Sequence, residues 1–115
     1  MGKATGYQKG LWAEALAKLF LRLKGYRILA ERFKTPQGEI DLIVKKGQRL
    51  SFVEVKWRGT MIAAVESIHT KNQSRVRSAA ALYLQQHPEY TDLETGFDAL
   101  VMAPGVWPQH IRNAW

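Results

Sequence analysis

Gly38-Glu39-Ile40-Asp41-Leu42-Ile43-Val44, followed shortly by Leu50-Ser51-Phe52-Val53-Glu54-Val55-Lys56, decides the architecture. Both stretches have strand length and apolar content, and Lys46-Gly47-Gln48-Arg49 between them is a hairpin signal. Glu39 to Lys45 and Leu50 to Trp57 therefore read as adjacent antiparallel strands. Strand residues two apart share a face, so Glu54 and Lys56 lie on one side and Val53 and Val55 on the other. A two-residue loop at Gly47-Gln48 pairs residues whose numbers sum to 95 (41 + 54), setting Asp41 opposite Glu54. A loop at Lys46-Gly47 makes the sum 93 and leaves Asp41 diagonal to Glu54, still on the same face. Only an odd loop without a compensating bulge separates them.

Two carboxylates facing each other across strands repel, and a sheet face is a costly place for either charge. A divalent cation removes the conflict: Mg2+ takes hard oxygen ligands from one or two carboxylates and completes its octahedron with water. A lysine two residues from a ligand can hold or deprotonate a water and stabilise charge on a phosphate. The pattern suits metal-assisted phosphodiester hydrolysis. It equally suits a plain cross-strand ion-pair cluster on a solvated face, and spacing alone does not choose.

Outward from this hairpin the chain reads as one domain spanning 1–115, with no repeat, linker or low-complexity segment. From Leu11 to Leu23, Trp12, Ala15, Leu16, Leu19, Phe20 and Leu23 recur at helical spacing, and Gly25 marks the end. Tyr26 to Phe33 is a strand, Thr35-Pro36-Gln37-Gly38 a turn, and Arg58 to Ile68 a loop. A second helix runs from Thr70 to Gln86 with Val76, Ala80, Tyr83 and Leu84 on one side, and Pro88 follows it. Phe97 to Ala103 is a strand stopped by Pro104-Gly105, and the tail from Val106 to Trp115 adds a short edge strand. The order helix, three strands, helix, strand describes an α/β fold, a small mixed sheet flanked by helices.

The 115 residues contain no cysteine, which excludes disulfides, thiolate zinc sites and a cysteine nucleophile. No stretch is apolar enough to span a membrane and no signal-peptide pattern opens the chain, so a cytoplasmic protein is expected. The net charge is +7, and residues 1–58 carry all of the excess with 13 basic and 5 acidic side chains. That distribution calls for a polyanion. Arg22, Lys24, Arg27, Arg32, Lys34, Lys45, Lys46, Arg49 and Arg58 supply the basic surface, which would position phosphates without reading sequence. Trp57, between Lys56 and Arg58, could stack on a base. The first helix could instead lie on a membrane, but its apolar face is needed by the sheet, so no membrane partner is expected.

Gly-Glu-Ile-Asp-Leu-Ile at 38–43 and Phe-Val-Glu-Val-Lys at 52–56 resemble the signature of the YraN-like family of small bacterial proteins. Ala13-Glu14, Gly25-Tyr26 and Gln73-x-Arg75 match as well. The resemblance implies the restriction-endonuclease-like core (α-β-β-β-α-β) of the PD-(D/E)xK nucleases, similar to archaeal Holliday-junction resolvases. By that likeness Asp41 and Glu54 bind Mg2+ (or Mn2+), Val55 adds a backbone carbonyl, and Lys56 serves the attacking water. Glu14 becomes an auxiliary acid and Gln73 a helix residue that steadies the site. The implied activity is cleavage of structured or branched DNA, with DNA ahead of RNA. The alternative is a non-catalytic nucleic-acid-binding module that keeps the fold.

Glu14 also has an ordinary reading, as a solvated partner of Lys18 one helical turn on, although Gly10, Ala13 and Ala17 beside it form a small-residue stripe that permits close approach. The family usually carries an arginine two residues before the aspartate of its last core strand; here that position is Gly96, and Asp98 reads as a strand-end polar residue. His69, His87 and His110 are too scattered for a zinc site and read as surface residues. Trp12, Trp107 and Trp115 read as core or edge packing. A chain this small would need a second copy to grip a two-fold junction, which leaves a homodimer open.

Overall fold

The computed structural model describes residues 6–68 and 73–115, with side chains from Gly10 onward. His69 and Thr70, the latter the expected start of the second helix, lie outside the described residues. The elements are α1 (Gly6–Leu23), β1 (Arg27–Lys34), β2 (Glu39–Lys46), β3 (Arg49–Trp57), α2 (Met61–Glu66), α3 (Gln73–Gln86), a 3-10 turn (Pro88–Tyr90), β4 (Glu94–Ala103) and β5 (Val106–Ile111).

The five strands lie in sequence order, β1-β2-β3-β4-β5. All neighbours are antiparallel except β3 and β4, which are parallel. A parallel pair needs a long crossover, and α2 and α3 provide it. The expected α/β class is therefore observed, with an additional short helix where Arg58 to Ile68 reads as a loop. Thr60 starts that helix by accepting a hydrogen bond from the Ala63 N–H on its side chain. The last core strand begins at Glu94, three residues before Phe97, because Gly96 and Asp98 both fit inside it.

The hairpin takes the register whose residue numbers sum to 95, from Lys46↔Arg49 to Leu42↔Val53. Gly47 turns the corner at φ 59°, a left-handed conformation that glycine adopts without steric cost. On one face α1 covers Leu42, Val44, Val53, Leu100 and Met102; on the other α3 covers Ile43, Leu50 and Phe52.

The side of α1 that meets the sheet is not the expected one. Ala13, Ala17 and Leu21 are buried, whereas Trp12 (74% exposed), Leu19 (54%) and Leu23 (76%) face outward. Small residues let the helix axis approach the sheet closely, and the bulky stripe is left outside. The helix stops where Gly25, at φ 92°, lets the Tyr26 N–H donate to the Leu21 carbonyl and its own N–H to that of Arg22.

Candidate active site

Asp41 sits where β2 and β3 part. The paired ladder ends at Leu42↔Val53, and one step further the Asp41 carboxylate itself accepts the Val55 N–H at 2.8 Å. Burial pushes the Asp41 carboxyl up to about 6, against that hydrogen bond and with help from the negative charges of Glu54, Glu14 and Glu39. Glu54 and Lys56, two apart on β3, form an ion pair at 2.6 Å with side chains only 15% and 13% exposed. The three residues expected to converge do so, on the face that α3 partly covers.

A cleft of about 500 Å3 opens beside them, lined by Lys34, Thr35, Gly38, Glu39, Ile40, Asp41, Val53, Glu54, Arg75 and Val76. Its far wall depends on Gly38. A Cβ there would lie 2.8 Å from the Arg75 carbonyl oxygen, so only glycine lets the start of β2 press against α3. The Thr35 hydroxyl accepts the N–H groups of Gln37 and Gly38, and Arg75 Nε donates to the Gln37 carbonyl, fixing the turn to the helix. Glu39 and Arg75 are cleft residues that the strand pattern does not single out, because their arrival depends on how a turn docks on a distant helix.

Glu14 reaches this neighbourhood from α1. Its carboxylate accepts Arg32 Nε at 2.9 Å, while Lys18 pairs instead with Glu31 at 2.7 Å. The simple Glu14–Lys18 pair is thus replaced by two helix-to-strand pairs. Arg32, expected on the nucleic-acid face, is tied to Glu14 and takes a φ of 48° in β1, downstream of the bulge between Ile28 and Ala30. Gln73 donates to the Ile68 carbonyl at 3.2 Å, linking α3 to the end of α2. Val55 gives its N–H to Asp41 and pairs with Leu100 in the ladder.

Arg49 is the clearest correction. It is buried, not part of a basic surface, and donates through both terminal nitrogens to Asp98 at 2.8 Å and also to Ser51. Asp98 is fully buried in the middle of β4 rather than at a strand end. It accepts further bonds from His110 Nε2 at 2.8 Å and the Asn113 N–H at 3.0 Å. Burial alone would raise its carboxyl, but these hydrogen bonds and the Arg49 charge hold it well below the usual carboxylate range. His110, only 2% exposed at its side chain, is accordingly no surface histidine. Gly96 makes room for the pair: a Cβ there would fall 2.1 Å from Arg49 Nη2. An Asp inside the apolar run Phe97 to Met102 is the available signal, since a buried carboxylate requires a partner.

The remaining basic residues are dispersed. Lys34 lines the cleft, Arg27 and Lys46 are exposed, and Arg58 is exposed with Nη1 on the Trp57 carbonyl. Arg27 pairs directly with Lys45 across the β1–β2 ladder, a like-charge pair that an isolated sheet disfavours. The Trp57 ring packs partly against the core beneath α1. Trp115 lies beside Phe97 as expected, and Trp107, although 78% exposed, packs at the sheet edge with its ring against Phe20, whereas Trp12 is 74% exposed on the outward side of α1.

Fold and site together define a small mixed α/β domain with a carboxylate–lysine cluster in an open cleft. The chain belongs to the uncharacterised protein family UPF0102, whose model matches residues 13–102. This is the family of YraN-like proteins that the motifs resemble. A UPF0102 protein of Parvibaculum lavamentivorans is 50% identical over 97% of this chain and 86% of its own length. One from Chelativorans sp. is 44% identical over 100% of this chain and 93% of its own. One from Methylorubrum extorquens is 48% identical over 93% and 84%. Among the described residues, no helix is long and apolar enough to cross a membrane.

Proposed function

We propose that this chain is a metal-dependent nuclease of the PD-(D/E)xK type, hydrolysing phosphodiesters of structured or branched DNA. One observation carries the reading: Asp41, raised to about 6 by burial and neighbouring acids, faces the same cleft as Glu54, with Lys56 paired to Glu54. A group that resists ionising beside another carboxylate is a donor set awaiting a cation. Two carboxylates with water completing the shell are the kind of donor set that Mg2+ or Mn2+ takes. Asp41 and Glu54 would hold the ion. Bound there, it would supply an acidified water and neutralise charge on the phosphate.

The protein's own groups divide the rest of the work. The Val55 N–H fixes the Asp41 carboxylate, leaving its second oxygen for the cleft. Lys56 has three ammonium donors and Glu54 takes one, so the others can meet a phosphate or an attacking water. Lys34 and Arg75 on the cleft wall can take flanking phosphates, and the Arg27–Lys45 pair lies four residues along β2 from Asp41, about 13 Å at strand rise.

The test is Mg2+- or Mn2+-supplemented cleavage of linear, flap, splayed and four-way DNA by wild type and by Asp41→Ala, Glu54→Ala and Lys56→Ala. Metal-dependent cleavage that each substitution lowers at least 100-fold supports the proposal; wild-type-like cleavage by Glu54→Ala sinks it. The second reading is a non-catalytic nucleic-acid-binding module, favoured by the fact that Glu54 already has its counter-charge in Lys56. It predicts salt-sensitive binding that survives Glu54→Ala, with no cleavage in either metal.

A further inference from the structure

The outward face of α1 carries a pattern that neither the sheet nor the cleft uses. Trp12, Leu16, Leu19 and Leu23 are spaced 4-3-4, the a/d seam of a left-handed helix pair, and they are 74%, 36%, 54% and 76% exposed. Trp107 and Val106 at the start of β5 extend the surface, with the Trp107 ring edge-on to Phe20 at 6.3 Å. The sheet does not need this stripe, since Ala13, Ala17 and Leu21 fill that role.

We propose that this seam is a homodimer interface in which α1 packs antiparallel against α1 of a second copy, about a dyad between Ala17 and Lys18. Residues at equal height then have numbers summing to 35, which pairs Trp12 with the partner's Leu23 (12 + 23) and Leu16 with the partner's Leu19 (16 + 19). The seam is its own complement, as an isologous contact requires. Beside Trp12 and Leu16, a recess of about 620 Å3 closed by Trp57 and Pro104 lies where the partner's Leu23 arrives.

Charge and area agree with this occupant. In the same register Arg22 stands at the height of the partner's residue 13 and Lys24 at that of its residue 11, so no two charged residues of the helices share a height. Lys18, near the dyad, is already held by Glu31 at 2.7 Å. The four seam residues carry no charge, and Arg58, a cation beside them, lines the rim of the recess with Nη1 on the Trp57 carbonyl. With Val106 and Trp107 included, the exposed apolar side chains of this face amount to roughly 700 Å2, the most they can bury and comparable to the ~800 Å2 that each partner contributes to a standard specific interface. The other flank of the helix carries Glu14, hydrogen-bonded to Arg32, so the interface would brace the element whose Glu14 charge is felt at Asp41.

The dimer does not depend on the hydrolytic reading, and its test needs no activity. Sedimentation equilibrium of the full chain from about 1 to 200 μM, which brackets the weaker affinities of an interface this size, should give a dimer. Leu19→Glu/Leu23→Glu should weaken it at least 100-fold with unchanged circular dichroism and, at concentrations where wild type is monomeric, unchanged Tm, since both positions are exposed. Because the chain has no cysteine, cross-linking reads the register directly. A mixture of Trp12→Cys and Leu23→Cys chains should oxidise to a covalent dimer, and Trp12→Cys alone should not. A monomer at every concentration, a dimer indifferent to the two glutamates, or efficient cross-linking of Trp12→Cys to itself overturns the proposal. So does a monomeric wild type that binds phosphatidylglycerol vesicles through this face.

Discussion

Replacing Asp41 with Asn should make the metal-free protein more stable, not less. The carboxyl is pushed from 3.8 to about 6, chiefly by burial, then by Glu54, Glu14 and Glu39, against the Val55 hydrogen bond. At 1.36 kcal/mol per pH unit, that rise means that ionising Asp41 in the folded state costs about 3 kcal/mol more than in the unfolded chain. Water in the cleft and the imperfect match of an amide to a protonated carboxyl reduce the recoverable part to about 1–2 kcal/mol. The side-chain carbonyl of the Asp41→Asn variant would still accept the Val55 N–H, so the strand junction survives. Between pH 3.8 and about 6 the folded state binds more protons than the unfolded one, so stability falls as pH rises through that window. The advantage of Asp41→Asn is therefore full at about pH 8 and absent at about pH 3.5. Urea unfolding at both values reads the free energy, and thermal unfolding at the higher pH should show a rise in Tm of roughly 4–8 °C for a domain of this size. Mn2+ should raise the Tm of wild type and leave that of Asp41→Asn unmoved, because only a ligand that binds the folded state shifts it. A loss of stability at the higher pH, or a gain of the same size at both, would refute the reasoning.

Asp98→Ala should cost about 3–5 kcal/mol by urea unfolding, because it leaves the Arg49 guanidinium buried without its counter-charge. With the Asp98 carboxyl held below its ordinary range, its contribution is complete above about pH 4 and is lost progressively as acid protonates it, which an acid-unfolding titration of wild type against Asp98→Asn will show. Gly96→Ala should destabilise by about 2 kcal/mol, since the methyl group falls on Arg49 Nη2; in a double-mutant cycle most of that cost should vanish in an Asp98→Asn background. Gly38→Ala should cost about 1–3 kcal/mol by pushing α3 away from β2, and should lower cleavage more than Gly10→Ala, where a Cβ meets nothing.

The hairpin is legible because strand periodicity and a two-residue turn constrain each other: once Gly47-Gln48 is the loop, Asp41 and Glu54 must face alike. The central strands, the hairpin, the second helix and the edge strand follow from the same local rules. The orientation of α1 does not, since a helical wheel ranks faces by hydrophobicity whereas the sheet selects the face of least bulk. Arg49 escapes local rules for a related reason. Its neighbours Gly47 and Gln48 mark a surface turn, and only the parallel pairing of β3 with β4, across the crossover from Arg58 to Leu93, brings Asp98 within its reach. Glu14 is ambiguous in the sequence because its partner, Arg32, lies in another element, beyond any rule of i to i+4 spacing.

The notch at Gly96 has a consequence for the history of the family. Asp98 needs one guanidinium, and the space beside it holds only one. Here β3 supplies it through Arg49, whereas an arginine at the position of Gly96 would place the donor on β4 itself. The two positions should therefore exchange as a unit among relatives. A large side chain at one predicts a small or retracted one at the other, and a chain that switches from one to the other must pass through a sequence with neither or with both crowded together. The socket is fixed, and the strand that fills it is free to change.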